Sequence, residues 1–409
     1  MPRSRPLKRL TQGELDECRR QIAYLLEQGW IVPSRASHAA SVVFAKKADG
    51  SWRFCQDYRG LNAITRRSVE PLPHIDQLMD ETRGAKFFTK MDLQAAYHQF
   101  HIATGDQWKT AFRVPGGQYE FKVGAFGLHG MSSLLQLYMH HVFGRPALHF
   151  DANGRPTQTA AGHPPLMLGA FVACYMDDII VFSKTRTEHK RHVQMVLATL
   201  CYHQLFAKST KCAFCSEEVA FLGHILLAEG LGANQQKIRA VQEWPSLASC
   251  ADVCRFLGLA TYYRRTVDRF SELAAPLSVL TGPRAVFHWG VREQASFNCL
   301  KCALSAALVL RLWDPARPTR LTTDASKVAT SAVLEQLVDG SWHPIAFESR
   351  KLAPAEARYS PHILELLAVV RALKALRPYL MDKPFELCTD NASLQWLRTQ
   401  RHLSHHQAR

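Results

Sequence analysis

Two adjacent carboxylates, Asp177 and Asp178, interrupt the run "FVACYMDDIIVFSK", whose flanks VACY and IIVFS are rich in residues that prefer strands. An acid buried against such flanks is costly unless it meets a cation or is otherwise paired. A third acid, Asp92, closes the apolar run "FFTKMD", which reads as a short buried strand. If these strands lie side by side, the carboxylates converge on a hard, oxygen-only site of the kind Mg²⁺ prefers, with Mn²⁺ as the alternative ion. Paired divalent ions activate an attacking hydroxyl and stabilise a leaving pyrophosphate, so the chemistry indicated is phosphoryl transfer. Lys46, Lys47 and Arg53 could supply the positive charge that phosphates need. Two plainer readings stand beside this one: a hairpin turn for the Asp-Asp pair, and solvated edge charges for the three basic residues.

The same pattern recurs near the end of the chain. Asp324 ends a β-rich run, Glu365 sits inside the apolar helix pattern "SPHILELLAVVRALKAL", and Asp390 ends another β-rich run. Taken alone, Glu365 could lie on the polar face of an amphipathic helix. Three acids in strand, helix, strand order favour a second metal site.

Around these acids the elements are legible. "TQGELDECRRQIAYLLEQGW" carries Thr11 and Glu14 at capping-box spacing and an apolar stripe at Leu15, Cys18, Ile22, Leu25 and Leu26, which predicts a helix closing near Gly29. "SVVFAKKADGSWRFCQDYR" predicts a hairpin turning at Asp49-Gly50. Residues 145 to 165, rich in Gly, Pro, Asn and Thr, predict a surface loop or insertion. Two helices follow the Asp-Asp pair, the second stopped by Pro245. Residues from about 250 to 312 are mainly helical in pattern, and a strand-rich pattern then begins, with Ser360 and Pro361 placed to open its helix.

Composition narrows the classes. With 409 residues, 47% hydrophobic and 21% charged, the chain reads as an ordinary globular protein of two or three domains. Its net charge of +15 suits a polyanionic partner such as nucleic acid, although a generic basic surface would give the same number. The basic N-terminus lacks the apolar core of a signal peptide, and the longest apolar run is too short to span a bilayer, so neither secretion nor membrane insertion is expected. Eleven scattered cysteines point to a reducing compartment. The pairs Cys212/Cys215 and Cys299/Cys302 lie too far apart in sequence for one zinc ribbon and are expected to be buried structural thiols.

Five stretches, "WRFCQDYRGLNAITRRSVEPLPHID", "KMDLQAAYHQFHI", "AFGLHGMSSLLQLYMHHVF", "YMDDIIVFS" and "FLGHILLAEGL", occur in the order seen in reverse transcriptases of gypsy-type LTR retrotransposons, which the chain resembles from about residue 8 onward. "TTDASKVATSAVLEQL", "SRKLAPAEARYS", "LELLAVV" and "CTDNASLQWL" resemble the ribonuclease H domain that follows in those polyproteins. The resemblance implies that Asp92, Asp177 and Asp178 hold the polymerase metals. It makes Tyr97 a steric gate against a ribose 2′-hydroxyl, Phe126 part of the nucleotide pocket, and Arg53 with Lys46 or Lys47 a triphosphate clamp. Asp324, Glu365 and Asp390 become the acids of a site that cuts RNA in an RNA–DNA hybrid.

The sequence also departs from the family. Ala125-Phe126-Gly127-Leu128 stands for the usual Pro-Phe-Gly-Leu, Gly130-Met131-Ser132 for Asn-Ala-Pro, and Ser331 for a Gly. The sequence ends at Arg409, before the family's fourth nuclease acid, so a C-terminally incomplete ribonuclease H-like domain is expected.

The fold class expected is α+β and multidomain. The resemblance implies a right-hand polymerase with fingers and palm over residues 8–230 and a thumb and connection over 231–315, followed by a C-terminally incomplete ribonuclease H-like α/β domain over 316–409. The partners implied are an RNA template, a DNA primer, RNA–DNA hybrid, dNTPs and other polyprotein products, in a cytoplasmic retroelement particle. The rival expectation is a catalytically decayed copy that survives as a nucleic-acid-binding or structural subunit.

Overall fold

The computed structural model describes residues 9–390 apart from 47–49, 51, 67–70, 145–148, 151–155, 158–166, 307–308 and 382. Two compact units result: Met1–Glu81 with Phe87–Ser216, and Thr82–Lys86 with Glu217–Arg409. No helix among the described residues is long and apolar enough to cross a membrane.

The first unit opens with the expected helix, Gln12–Glu27, whose Thr11 and Glu14 close a reciprocal capping box. A five-stranded sheet follows, in which Ala40–Lys46 and Trp52–Gln56 form the expected hairpin. Its core gathers Ile31, Val42, Phe112 and Phe121 against Cys18, Ile22 and Leu25 of the helix. Most of the expected loop at 145–165 lies outside the described residues.

The second sheet of this unit has four strands: β1 (Phe87–Asp92), β2 (Val172–Tyr175), β3 (Asp178–Ser183) and β4 (Ala213–Ser216). Their order is β4-β1-β3-β2, with every neighbour antiparallel. Helices α1 (Met131–Phe143) and α2 (Arg186–Tyr202) share a core with this sheet, in which Met91, Leu135, Met139, Phe143, Val172, Ile179, Val181, Val196 and Leu200 are sealed from water. Buried polar contacts stitch α2 to the strands: His189 meets Thr89 Oγ1 at 2.7 Å and Ser183 Oγ at 2.9 Å, and His192 meets the same serine at 2.8 Å. Burial pushes both imidazoles below their ordinary pKa, which keeps the network neutral.

The second unit begins with the three-stranded meander Glu218–Phe221, His224–Leu227 and Gly230–Ala233. A helical subcore follows, in which Val253, Phe256, Leu277, Phe297 and Leu300 are buried together. The last sheet contains β5 (Thr319–Ala325), β6 (Ala329–Val338), β7 (Ser341–Lys351) and β8 (Glu386–Thr389), in the order β7-β6-β5-β8. Strands β5 and β8 are parallel, and the connection between them carries helix α4 (Pro361–Ala375), which packs on β5 and β6.

The cysteines depart from expectation. All eleven are free, and Cys215, Cys299 and Cys302 are exposed rather than buried. Cys299 and Cys302 lie on a helix whose inward face is taken by Ser296, Phe297, Leu300 and Leu304. The helical period therefore turns both thiols to the surface.

Candidate active sites

In the first unit the strand register does the positioning. Asp178 opens β3 directly opposite Asp92 at the end of β1. Asp177 falls in the two-residue turn between Tyr175 and Asp178, which are themselves a paired position. The turn reading of the Asp-Asp pair therefore holds for Asp177, whereas Asp178 belongs to the strand. Met176, the other turn residue, takes a left-handed backbone with φ 54°, a conformation L side chains adopt at a cost. It is held there by Gln136 of α1, a fully buried side chain that accepts from the Met176 N–H at 2.8 Å and donates to the Cys174 carbonyl at 3.2 Å. Leu93 N–H donates to the Asp177 carbonyl at 3.1 Å and fastens the turn to β1.

Charge is balanced locally. Lys211 Nζ reaches both Asp92 oxygens, at 3.0 and 3.2 Å, and Lys90 Nζ lies 2.9 Å from Asp178 Oδ1. Asp177 has no such close partner in this set, and burial, followed by the charges of Asp178 and Asp92, raises its pKa above the usual carboxylate value. The three acids are brought to one sheet end but do not close into a single tight cluster.

Tyr97 and Phe126 do meet, edge to face with ring centroids 5.2 Å apart, and the Tyr97 hydroxyl bonds Ser132 Oγ at 3.0 Å. Phe126 remains 42% exposed. The proline-free loop carrying it is strapped by Asn62, which donates to the Gly127 carbonyl at 2.8 Å and accepts from the His129 N–H at 2.7 Å. Gly127 sits at φ 89°, where a side chain would be strained. Arg53 and Lys46 lie on the hairpin, with the Lys46 ammonium 5.3 Å from the centre of the Trp52 ring. Lys47 lies outside the described residues.

In the second unit the parallel register Thr323↔Thr389 sets Asp324 and Asp390 side by side, each one residue further on. Glu365 approaches from α4. Its side chain belongs to the buried face of that helix, not to a polar one, and the residue is 7% exposed. One ligand atom from each of Asp324, Glu365 and Asp390 lies within 4.8 Å of the others, the only such group of three among the described residues. Glu365 Oε1 accepts from the Ala325 N–H at 3.2 Å, whereas Oε2 is buried without a partner. Burial, then Asp390 and Asp324, push its pKa up to about 7. An orphaned carboxylate oxygen facing two further carboxylates is a donor set that fits a hard divalent cation.

Gln136, Asn62, Lys211 and Lys90 were missed from sequence. Gln136 alone left a signal: it interrupts the apolar stripe Leu135, Met139, Val142 and Phe143, where a polar residue is buried only with partners.

Residues 45–226 match the family model described as "Reverse transcriptase (RNA-dependent DNA polymerase)", and residues 314–409 match "RNase H-like domain found in reverse transcriptase". The chain thus carries a reverse transcriptase domain followed by an RNase H-like domain of the kind found in reverse transcriptases. It is 32% identical over 388 residues to the transposon Tf2-3 polyprotein of Schizosaccharomyces pombe, and 31% identical to the Tf2-7 polyprotein of the same organism. Each alignment covers 94% of this chain, which spans 28% of the length of these curated relatives. The fold is shared with a foamy viral protease-reverse transcriptase in complex with double-stranded DNA, with a TM-score of 0.84, 22% identity, and coverage of 99% of this chain and 69% of that one. A complex of the same viral protein with RNA/DNA hybrid matches with a TM-score of 0.79 and 21% identity, over 100% of this chain and 53% of that one.

Proposed function

We propose that this chain is the polymerase and nuclease segment of a retrotransposon polyprotein, which extends a DNA primer on an RNA template from dNTPs and cuts the RNA of the resulting hybrid. The reading rests on one observation above others: Asp92 and Asp178 face each other across β1 and β3, while a left-handed Met176, strapped by Gln136, presents Asp177 beside them.

Asp92 and Asp177, with Asp178, would hold divalent cations at the first site, and Asp324, Glu365 and Asp390 at the second; Mg²⁺ suits both all-oxygen sets. Bound there, such ions supply Lewis-acid activation of the primer 3′-hydroxyl or of water, and neutralise charge on the leaving group. The protein's own share is positioning. Tyr97, backed by Ser132 and packed against Phe126, would crowd a ribose 2′-hydroxyl. Arg53 and Lys46 bring positive charge for a triphosphate on the hairpin. The net charge of +15 supports a polyanionic partner, and the fold is shared with chains solved in complex with RNA/DNA hybrid and with double-stranded DNA.

The test is primer extension on poly(rA)/oligo(dT) with Mg²⁺ or Mn²⁺. The expected result is extension by the parent and none by Asp177→Asn. Hybrid binding that weakens steeply with salt, without extension by the parent, would instead favour a decayed binder.

A further inference from the structure

Arg269 breaks three local rules at once. It takes a left-handed backbone, φ 49°, although it is not a glycine. It occupies the N-cap of helix α3 (Phe270–Val279) and makes no side-chain capping bond, where Ser, Thr, Asp or Asn is preferred. It also sets a cation at the positive end of the helix dipole. Locally inconsistent residues of this kind concentrate at functional sites, where the surrounding structure holds them in place.

Here the surroundings do hold it. Arg264 bonds Glu348 at 2.5 Å and the Ser349 carbonyl at 3.0 Å, and Arg265 reaches the Tyr379 hydroxyl at 3.0 Å. The Ser271 N–H donates to Ser349 Oγ at 2.9 Å. Residues 264–271 are therefore pinned to β7 and to the segment after α4, and the one guanidinium of this stretch not spent on pinning points at the metal-site cluster. Arg269 lies 2.9 Å from Asp324 Oδ2. Both partners are partly exposed, with side chains 55% and 38% accessible, so the pair is weak and readily exchanged.

We propose that Arg269 is a displaceable counter-cation of the ribonuclease H-like site: it competes with a divalent ion for Asp324, and when displaced its guanidinium takes a backbone phosphate of the bound hybrid. The helical segment before the domain would thereby couple hybrid engagement to ion loading. This deepens the nuclease reading above and rests on it. The competition itself can be measured on a chain that turns nothing over.

The experiment is calorimetric titration of Mn²⁺ into the full 409-residue chain. An Asp177→Asn background silences the first site, and an uncleavable hybrid with a 2′-O-methylated RNA strand is added in parallel. Arg269→Ala is expected to tighten Mn²⁺ binding roughly two- to fivefold without hybrid, the scale of an exposed ion pair, and to remove most of the tightening that hybrid brings to the parent. Arg269→Lys keeps the charge and is expected to stay near the parent. Equal Mn²⁺ affinity in the parent and Arg269→Ala would overturn the proposal. So would equal tightening in Arg269→Ala and Arg269→Lys, because the effect would then come from packing and not from charge. Failure of primer extension, by contrast, would count against the polymerase reading alone.

Discussion

The two acid clusters solve one problem in two ways. At the first site, like charges gathered at a sheet end are offset by lysines: Lys211 on Asp92 and Lys90 on Asp178. At the second, ligand atoms of Asp324, Glu365 and Asp390 lie within 4.8 Å of one another, burial and the two aspartates push the Glu365 pKa up to about 7, and a guanidinium from outside the strand pattern pairs with Asp324. The first cluster is offset by two lysines. The second is tighter and keeps a buried Glu365 oxygen without a partner, and so is better prepared to take a cation. Buried carboxylates need compensation, and the nearest available group decides its form.

The strongest way to break this comparison is to disable each cluster separately. Asp177→Asn is expected to abolish primer extension, a loss of at least about 10²- to 10³-fold, the scale set by removing one group that stabilises transition-state charge, while leaving hybrid hydrolysis intact. Glu365→Gln is expected to do the reverse. Loss of both activities in either variant would mean that the clusters do not act independently.

Next in size is Gln136. Gln136→Leu leaves the Met176 N–H and the Cys174 carbonyl without their side-chain partner, which costs about 1–3 kcal/mol for a buried polar group. Urea denaturation should show the lower midpoint, and, if the turn presents Asp177 to the reaction as proposed, kcat for extension should fall more than template affinity, because only that turn is loosened. An unchanged kcat in a folded variant would remove Gln136 from the positioning of Asp177.

The raised pKa of Glu365 sharpens the contrast through pH. Its native pKa lies near 7 against an ordinary 4.5, so between those values the folded chain holds a proton the unfolded chain has released. This group's contribution therefore makes stability fall as pH rises from about 4.5 to about 7, and level off above. Denaturation midpoints from pH 5 to pH 8 should show a downward slope that Glu365→Gln flattens; identical slopes would count against the raised pKa. Mn²⁺ affinity at the second site should rise over the same interval, since the ion displaces that proton.

The smallest effect is expected at Lys211. Its side chain is 56% exposed, so Lys211→Ala should move thermal stability only slightly, within the 0–1 kcal/mol typical of exposed pairs. It should also make the first site bind Mn²⁺ a little more tightly, which titration of a Glu365→Gln background would report. A large destabilisation would mean that the lysine props up the sheet and does more than balance charge.

Much of this arrangement was legible beforehand, for physical reasons that can be named. The capping box at Thr11 and Glu14, the hairpin around Gly50, the strand ending in Asp92, and the strands that end within one residue of Asp324 and Asp390 are local consequences of side-chain chemistry and period. The burial of Glu365 was not, because a helix with apolar residues on most sides does not declare which side faces the sheet. The exposed Cys299 and Cys302 were misread for the same reason. Asn62 sits 65 residues from Gly127 and Lys211 sits 119 from Asp92, separations over which no periodicity carries information.

By itself, then, the sequence determined which residues carry charge at strand ends, in what order the elements run, and which family the motifs belong to, because propensity, capping and motif spacing act over a few residues along the chain. Only the tertiary structure decided that Asp92 faces Asp178, that Gln136 holds Met176 left-handed, and that Arg269 meets Asp324. Those pairings depend on strand register and on side chains distant in sequence, which the packing of the core brings together and no local rule specifies.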